Sequence, residues 1–104
     1  MIGRFWRGWA GGENAARYEA LLRAEILPGI QRVEGYRGAY LLRRQLDGET
    51  EFGTLTLWDS LDAVRAFAGV DYELAVVPPE ARALLSRFDE RSVHYEIVAA
   101  PEDL

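Results

Sequence analysis

Four stretches of the chain alternate in side-chain character with a period of two, and each is apolar on both of its faces. Ile2 to Trp9 sets Ile2, Arg4 and Trp6 on one side and Phe5, Arg7 and Trp9 on the other. Tyr36 to Gln45 alternates Tyr40 and Leu42 with Ala39 and Leu41, and Glu51 to Trp58 alternates Phe52 and Trp58 with Leu55 and Leu57. Ser92 to Ala99 sets Val93, Tyr95 and Ile97 against His94, Glu96 and Val98. A sheet with helices on one face ordinarily reads polar on the other. Here 104 residues, read as one domain over 1–104, are too few to build a layer on both sides. The surplus apolar face is therefore expected to close on a second copy of the chain, as a two-fold homodimer.

The segments between these stretches read as helices. Asn14 can cap a helix from Ala15, whose apolar stripe is Leu21, Leu22 and Ile26, with Pro28-Gly29 ending or kinking it. Asp47-Gly48 is a hairpin signal. Ser60 can cap a helix through Leu61, Val64, Phe67 and Ala68, stopped by Gly69. Asp71 to Val77 fits neither period. Pro78-Pro79 opens a short helix with Ala81, Leu84, Leu85 and Phe88 as its buried stripe, and Pro101 to Leu104 is a tail. The order strand, helix, strand, strand, helix, strand is the split βαβ, or ferredoxin-like, order. The expected fold is α+β, a four-stranded antiparallel sheet with helices on one face.

Composition excludes several chemistries. Cys is absent, which removes disulfides, thiolate metal sites and a cysteine nucleophile. All twelve basic residues are Arg, so no lysine Schiff base is available. The net charge of −5 disfavours nucleic acid, and Arg43-Arg44 is too small a patch to reverse that. Apolar runs are too short for a membrane helix, and Arg4 and Arg7 interrupt any signal-peptide core, so a cytoplasmic location is expected.

His94 is the one histidine and the one side chain whose ordinary pKa lies near neutrality. It is the candidate catalytic residue, as proton acceptor or as hydrogen-bond donor to an anion; the alternative is a hydrogen-bonded sheet histidine. One histidine does not assemble the usual zinc or iron sites, so no metal and no cofactor are expected. Trp6, Trp58, Tyr72 and Phe67 are the candidates to line a pocket for a flat organic molecule, against the alternative of core packing. Arg7, Arg43 and Arg44 read as a solvated strand edge or as dimer salt bridges, against the alternative of stabilising an anionic ligand or oxyanion, and Asp59 and Asp62 as helix N-terminal charges.

Several local sequences carry a family resemblance: Trp6-Arg7-Gly8-Trp9, Leu27-Pro28-Gly29-Ile30, Gly35-Tyr36-Arg37-Gly38, Leu57-Trp58-Asp59-Ser60, Val76-Val77-Pro78-Pro79-Glu80-Ala81 and His94-Tyr95-Glu96. With them the whole chain resembles the antibiotic-biosynthesis monooxygenase superfamily of dimeric α/β-barrel proteins. The resemblance implies a cleft between sheet and helices in each subunit, with two sheets closing the barrel. It also implies oxidation of a small aromatic or polyketide-like ring by O2 without metal or flavin. The rival reading is a non-catalytic small-ligand-binding or stress-related protein of the same fold. Haem-degrading relatives form a third comparison. Their helix tryptophan falls at Phe67 and their haem-ligating histidine near Val77, and the first strand lacks their asparagine, so haem degradation is not expected.

Overall fold

The alternating stretches become strands in the computed structural model, which describes residues 1–104. β1 (Ile2–Ala10) is central. The chain then forms α1 (Glu13–Leu21), a π-helical turn (Leu22–Ile26) and α2 (Leu27–Ile30) in one continuous helical stretch. β2 (Tyr36–Leu46) and β3 (Glu49–Trp58) form the hairpin expected at Asp47-Gly48, whose turn has Gly48 at a positive φ, 79°. α3 (Leu61–Ala68) and α4 (Pro79–Leu84) follow, and the chain returns as β4 (Arg87–Phe88) and β5 (Val93–Glu96). β1 pairs antiparallel with β3, Ile2 opposite Trp58 through Ala10 opposite Thr50, and its other edge takes both β4 and β5. The resulting row order, β2-β3-β1 and then β4 with β5, is the ferredoxin-like one.

Three local expectations need correction. The last strand is not continuous over Ser92 to Ala99: it begins at Arg87–Phe88, breaks, and resumes at Val93–Glu96. Phe88 thus belongs to β4 and not to the helix before it. The break has a cause, because residues 73–75 zip onto residues 90–92. Ala75 N–H donates to Glu90 O at 2.9 Å and Ser92 N–H to Glu73 O at 2.7 Å, diverting groups that would otherwise face β1. Asn14 does not cap the first helix. Gly12, at φ 54°, turns the chain into the helix before Asn14 is reached, and Asn14 N–H already bonds Gly11 O. Pro28-Gly29 does disturb its helix, which ends at Ile30. The Pro28 ring is incompatible with an α-turn onto residue 24, and the turn before it opens to π geometry, with Leu27 N–H on Leu22 O.

Other signals held. Ser60 Oγ accepts from Ala63 N–H at 3.2 Å, and Gly69, at φ 95°, ends α3. Pro79 stands in the first turn of α4. The helices cover one face of the sheet and make two core clusters there. One joins Ala10, Tyr18, Leu22, Phe52 and Ala81. The other joins Ile30, Trp58, Ala63 and Val64. On the opposite face Tyr40 (54% exposed), Leu42 (49%), Val93 (50%) and Tyr95 (57%) remain open, so the chain supplies no second layer for them. No helix is long and apolar enough to cross a membrane.

Candidate functional site

Side chains from both core clusters line a cavity between the sheet and the helices. Its sheet wall is Arg4 and Trp6 of β1 with Thr54 and Thr56 of β3. Leu22 and Ile26 of the π turn face them, Phe67 of α3 closes one end, and Val76, Val77 and Ser92 complete the rim. The volume open to the centre of a water molecule is about 60 Å³. At roughly 10–15 Å³ per water on that measure, this is room for a handful of waters or one substituted ring. The walls are mostly apolar, as small-molecule sites are. Trp6 is fixed by its indole N–H, which donates to Asp89 O at 2.6 Å.

Arg4 is the exceptional group. It is 4% exposed, yet no carboxylate lies within ion-pairing distance. Its Nη1 donates to Tyr72 O and lies 3.0 Å from His94 Nε2, and its Nη2 donates to Leu74 O at 3.1 Å. All of these acceptors are neutral. Burial brings its pKa down to about 10, which still leaves it a cation at neutral pH. The other arginines singled out from the sequence do find acids: Arg7 pairs with Asp89 at 2.9 Å, Arg44 with Glu51 at 2.9 Å, and Arg43 with Glu19. Asp59 is held by Arg37 at 2.6 Å and Asp71 by Arg91 at 3.0 Å, which keeps both carboxylates below their usual range.

His94 sits opposite Arg4 in the β1–β5 register. A guanidinium only donates, so Nε2 is the acceptor and the neutral ring carries its proton on Nδ1. That Nδ1 is buried without a partner. Burial first, and then the Arg4 charge, lower the His94 pKa, with Glu73 opposing. Tyr72 packs edge-on against the imidazole at 5.0 Å. His94 and Tyr72 line an open groove on the far side of Arg4, and Ser92 borders both groove and cavity. Ser92 is 4% exposed and its hydroxyl is also unpartnered.

The family model for antibiotic biosynthesis monooxygenase matches residues 7–78. The chain belongs to that family. Solved structures agree on the fold. A candidate antibiotic biosynthesis monooxygenase from Deinococcus radiodurans superposes with a TM-score of 0.68 at 18% identity, covering 96% of this chain and 95% of that one. SnoaB, a cofactor-independent oxygenase from Streptomyces nogalater, gives 0.64 at 18% identity, covering 96% of each chain. The haem-degrader MhuD from Mycobacterium tuberculosis gives 0.61 at 18% identity, covering 96% and 98%. No protein with a curated description matches.

Within this family member, the sequence candidates fall into three places. Trp6 and Phe67 reach the cavity. Trp58 is fully buried behind it, packed between Tyr36 and Phe67 at 5.2 Å from each, with its indole N–H on Thr56 Oγ1 at 2.8 Å. His94 and Tyr72 lie in the groove, one residue's width from the cavity across Arg4 and Ser92. Arg4 and Ser92 themselves were not singled out from the sequence. The one available signal was Arg4's position between Ile2 and Trp6 on an otherwise apolar strand face. Nowhere do three His, Asp or Glu side chains converge to hold a metal ion.

Proposed function

We propose that the chain is a cytoplasmic, homodimeric oxygenase that oxidises a small aromatic ring in the sheet–helix cavity without metal or flavin. The observation that carries this reading is a largely apolar, aromatic-walled cavity bounded on one side by buried Arg4, which His94 contacts from the adjoining groove. An electron-rich ring, once deprotonated, supplies the electrons that reduce O2. One oxygen atom enters the ring and the other leaves as water. The protein then needs to exclude solvent, hold the ring and manage one proton. Trp6 and Phe67 hold the ring. His94 takes the proton at Nε2 when Arg4 releases it, and Tyr72 keeps the imidazole in place. Trp58 supports Phe67 from behind. Haem does not fit: the room is that of a single ring, Phe67 and Val77 stand where a tryptophan and a histidine are expected, and the one histidine bonds Arg4.

Oxygen uptake with a panel of phenolic rings, in chelator-treated and flavin-free buffer, tests the reading. Wild type is expected to consume O2 with at least one, and His94→Ala to lose turnover while keeping its oligomeric state. A fully active His94→Ala protein would remove His94 from the mechanism. A second reading, a non-catalytic ligand-binding protein, is favoured by the engagement of His94 Nε2 with Arg4 in the resting state. It predicts ring binding with no oxygen uptake. Titration with haem is expected to give no Soret shift under either reading.

A further inference from the structure

We infer that the Arg4–Ser92 wall of the cavity binds the carboxylate of an aromatic acid, whose ring then lies against Trp6 and Phe67. The inference deepens the functional reading above, since it names the ligand class of the same cavity. It starts from an electrostatic imbalance. A buried cation is ordinarily paired with an anion or removed, because desolvation costs several kcal/mol otherwise. Arg4 is buried at 4% exposure and its partners are Tyr72 O, Leu74 O and His94 Nε2, none of them charged. These use both Nη1 protons and one on Nη2. The guanidinium has five N–H groups, so Nε–H and one Nη2–H remain unspent. Nε and Nη2 are neighbouring nitrogens, the pair that a carboxylate can grip side-on.

One further group bears on the same place. Ser92, on the same cavity rim, has a buried hydroxyl with no partner in the protein, and buried hydroxyls are normally satisfied. A single anionic oxygen pair would satisfy the cation and the hydroxyl together. Thr54 and Thr56 apart, the rest of the cavity is apolar, which selects an acid carried on a ring over a free inorganic anion. Phe67 lies 5.8 Å from the guanidinium carbon, so the ring's site adjoins the charge.

Isothermal titration of the full chain with benzoate, benzamide and acetate at pH 7.5 tests the inference. Benzoate is expected to bind, with benzamide, the neutral isostere, and acetate, the charge without the ring, each weaker by tenfold or more. Arg4→Lys, which keeps the charge and loses the fork, is expected to weaken benzoate by about ten- to a hundredfold. Ser92→Ala is expected to weaken it by about three- to tenfold. It should leave thermal stability unchanged, because its hydroxyl bonds nothing in the free protein, and so it decides the matter if Arg4→Lys does not fold. No benzoate binding, equal binding of benzamide, or unaltered affinity in Ser92→Ala would each overturn the inference. Benzoate binding with no oxygen uptake by any ring would keep this inference and remove the oxygenase reading. Turnover of neutral rings with no preference for acids would do the opposite.

Discussion

Arg4 and His94 are joined by a hydrogen bond that exists only while the imidazole is neutral. A protonated His94 would place two cations 3.0 Å apart with little water between them. The folded protein therefore holds the His94 pKa below its ordinary value, by burial and by the Arg4 charge. The unfolded chain takes up this proton more readily than the native one, so stability rises with pH across the window. The contribution is complete above about pH 6.5, the unfolded value, and is lost as pH falls through the lower folded value. Urea denaturation at pH 7.5 and pH 5.5 should give the lower midpoint at pH 5.5. His94→Gln, whose amide oxygen can still accept from Arg4, should reduce that difference. Glu73 faces the ring and works weakly against the effect, while the arginine-paired carboxylates Glu19, Glu49, Glu51, Asp59 and Asp71 have lowered values and titrate below the window. An equal loss in wild type and His94→Gln would assign the pH dependence elsewhere. At this scale the sequence is a partial guide. His94 and Trp6 stand out by residue type alone. Arg4 does not, because an arginine in a strand ordinarily reads as solvated, and its burial depends on residues 72 and 74 folding across it from nearly seventy positions away.

The elements themselves were legible where their causes are local. Period-two alternation, the Asp47-Gly48 turn, the Ser60 cap and the Pro79 helix start all act within a few residues, and each appears where the sequence places it. The broken last strand was not legible, because its cause is the pairing of residues 73–75 with 90–92, two segments without periodic signal of their own. Two substitutions measure the local terms. Ser60→Ala removes the oxygen that accepts from Ala63 N–H and should cost about 1 kcal/mol in denaturant unfolding. Gly35→Ala should cost more, about 2–4 kcal/mol, for two reasons that add. Gly35 holds φ at 90°, and a Cβ there would stand 2.6 Å from Ala63 Cβ, so the connection into β2 would have to lift off α3. A Gly35→Ala protein within about 0.5 kcal/mol of wild type, on the order of an ordinary surface change, would show that this contact is not tight in solution.

For the whole molecule the open sheet face decides the assembly. Tyr40, Leu42, Val93 and Tyr95 lie on one face of the sheet, with Phe5 and Leu55 between them on β1 and β3. Monomers rarely leave so continuous an apolar surface in water, and a twisted sheet face is self-complementary about a two-fold axis. Sedimentation at micromolar concentration should therefore give twice the chain mass of 11.7 kDa. Leu42→Glu, which would bury an unpaired charge in the contact, should shift the protein to the monomer mass. A wild type that sediments at 11.7 kDa would refute the dimer. The same variant separates assembly from the site. The cavity lies on the helix-covered side of the sheet, whereas Leu42 points to the other face. A folded Leu42→Glu monomer should accordingly keep its affinity for a ring in the cavity within about threefold, since the helices and the segment through Val77 are untouched. Loss of binding together with dissociation would mean that the partner's sheet holds this cavity in shape through β1 and β3, and the two faces of the sheet would then have to be treated as one functional unit.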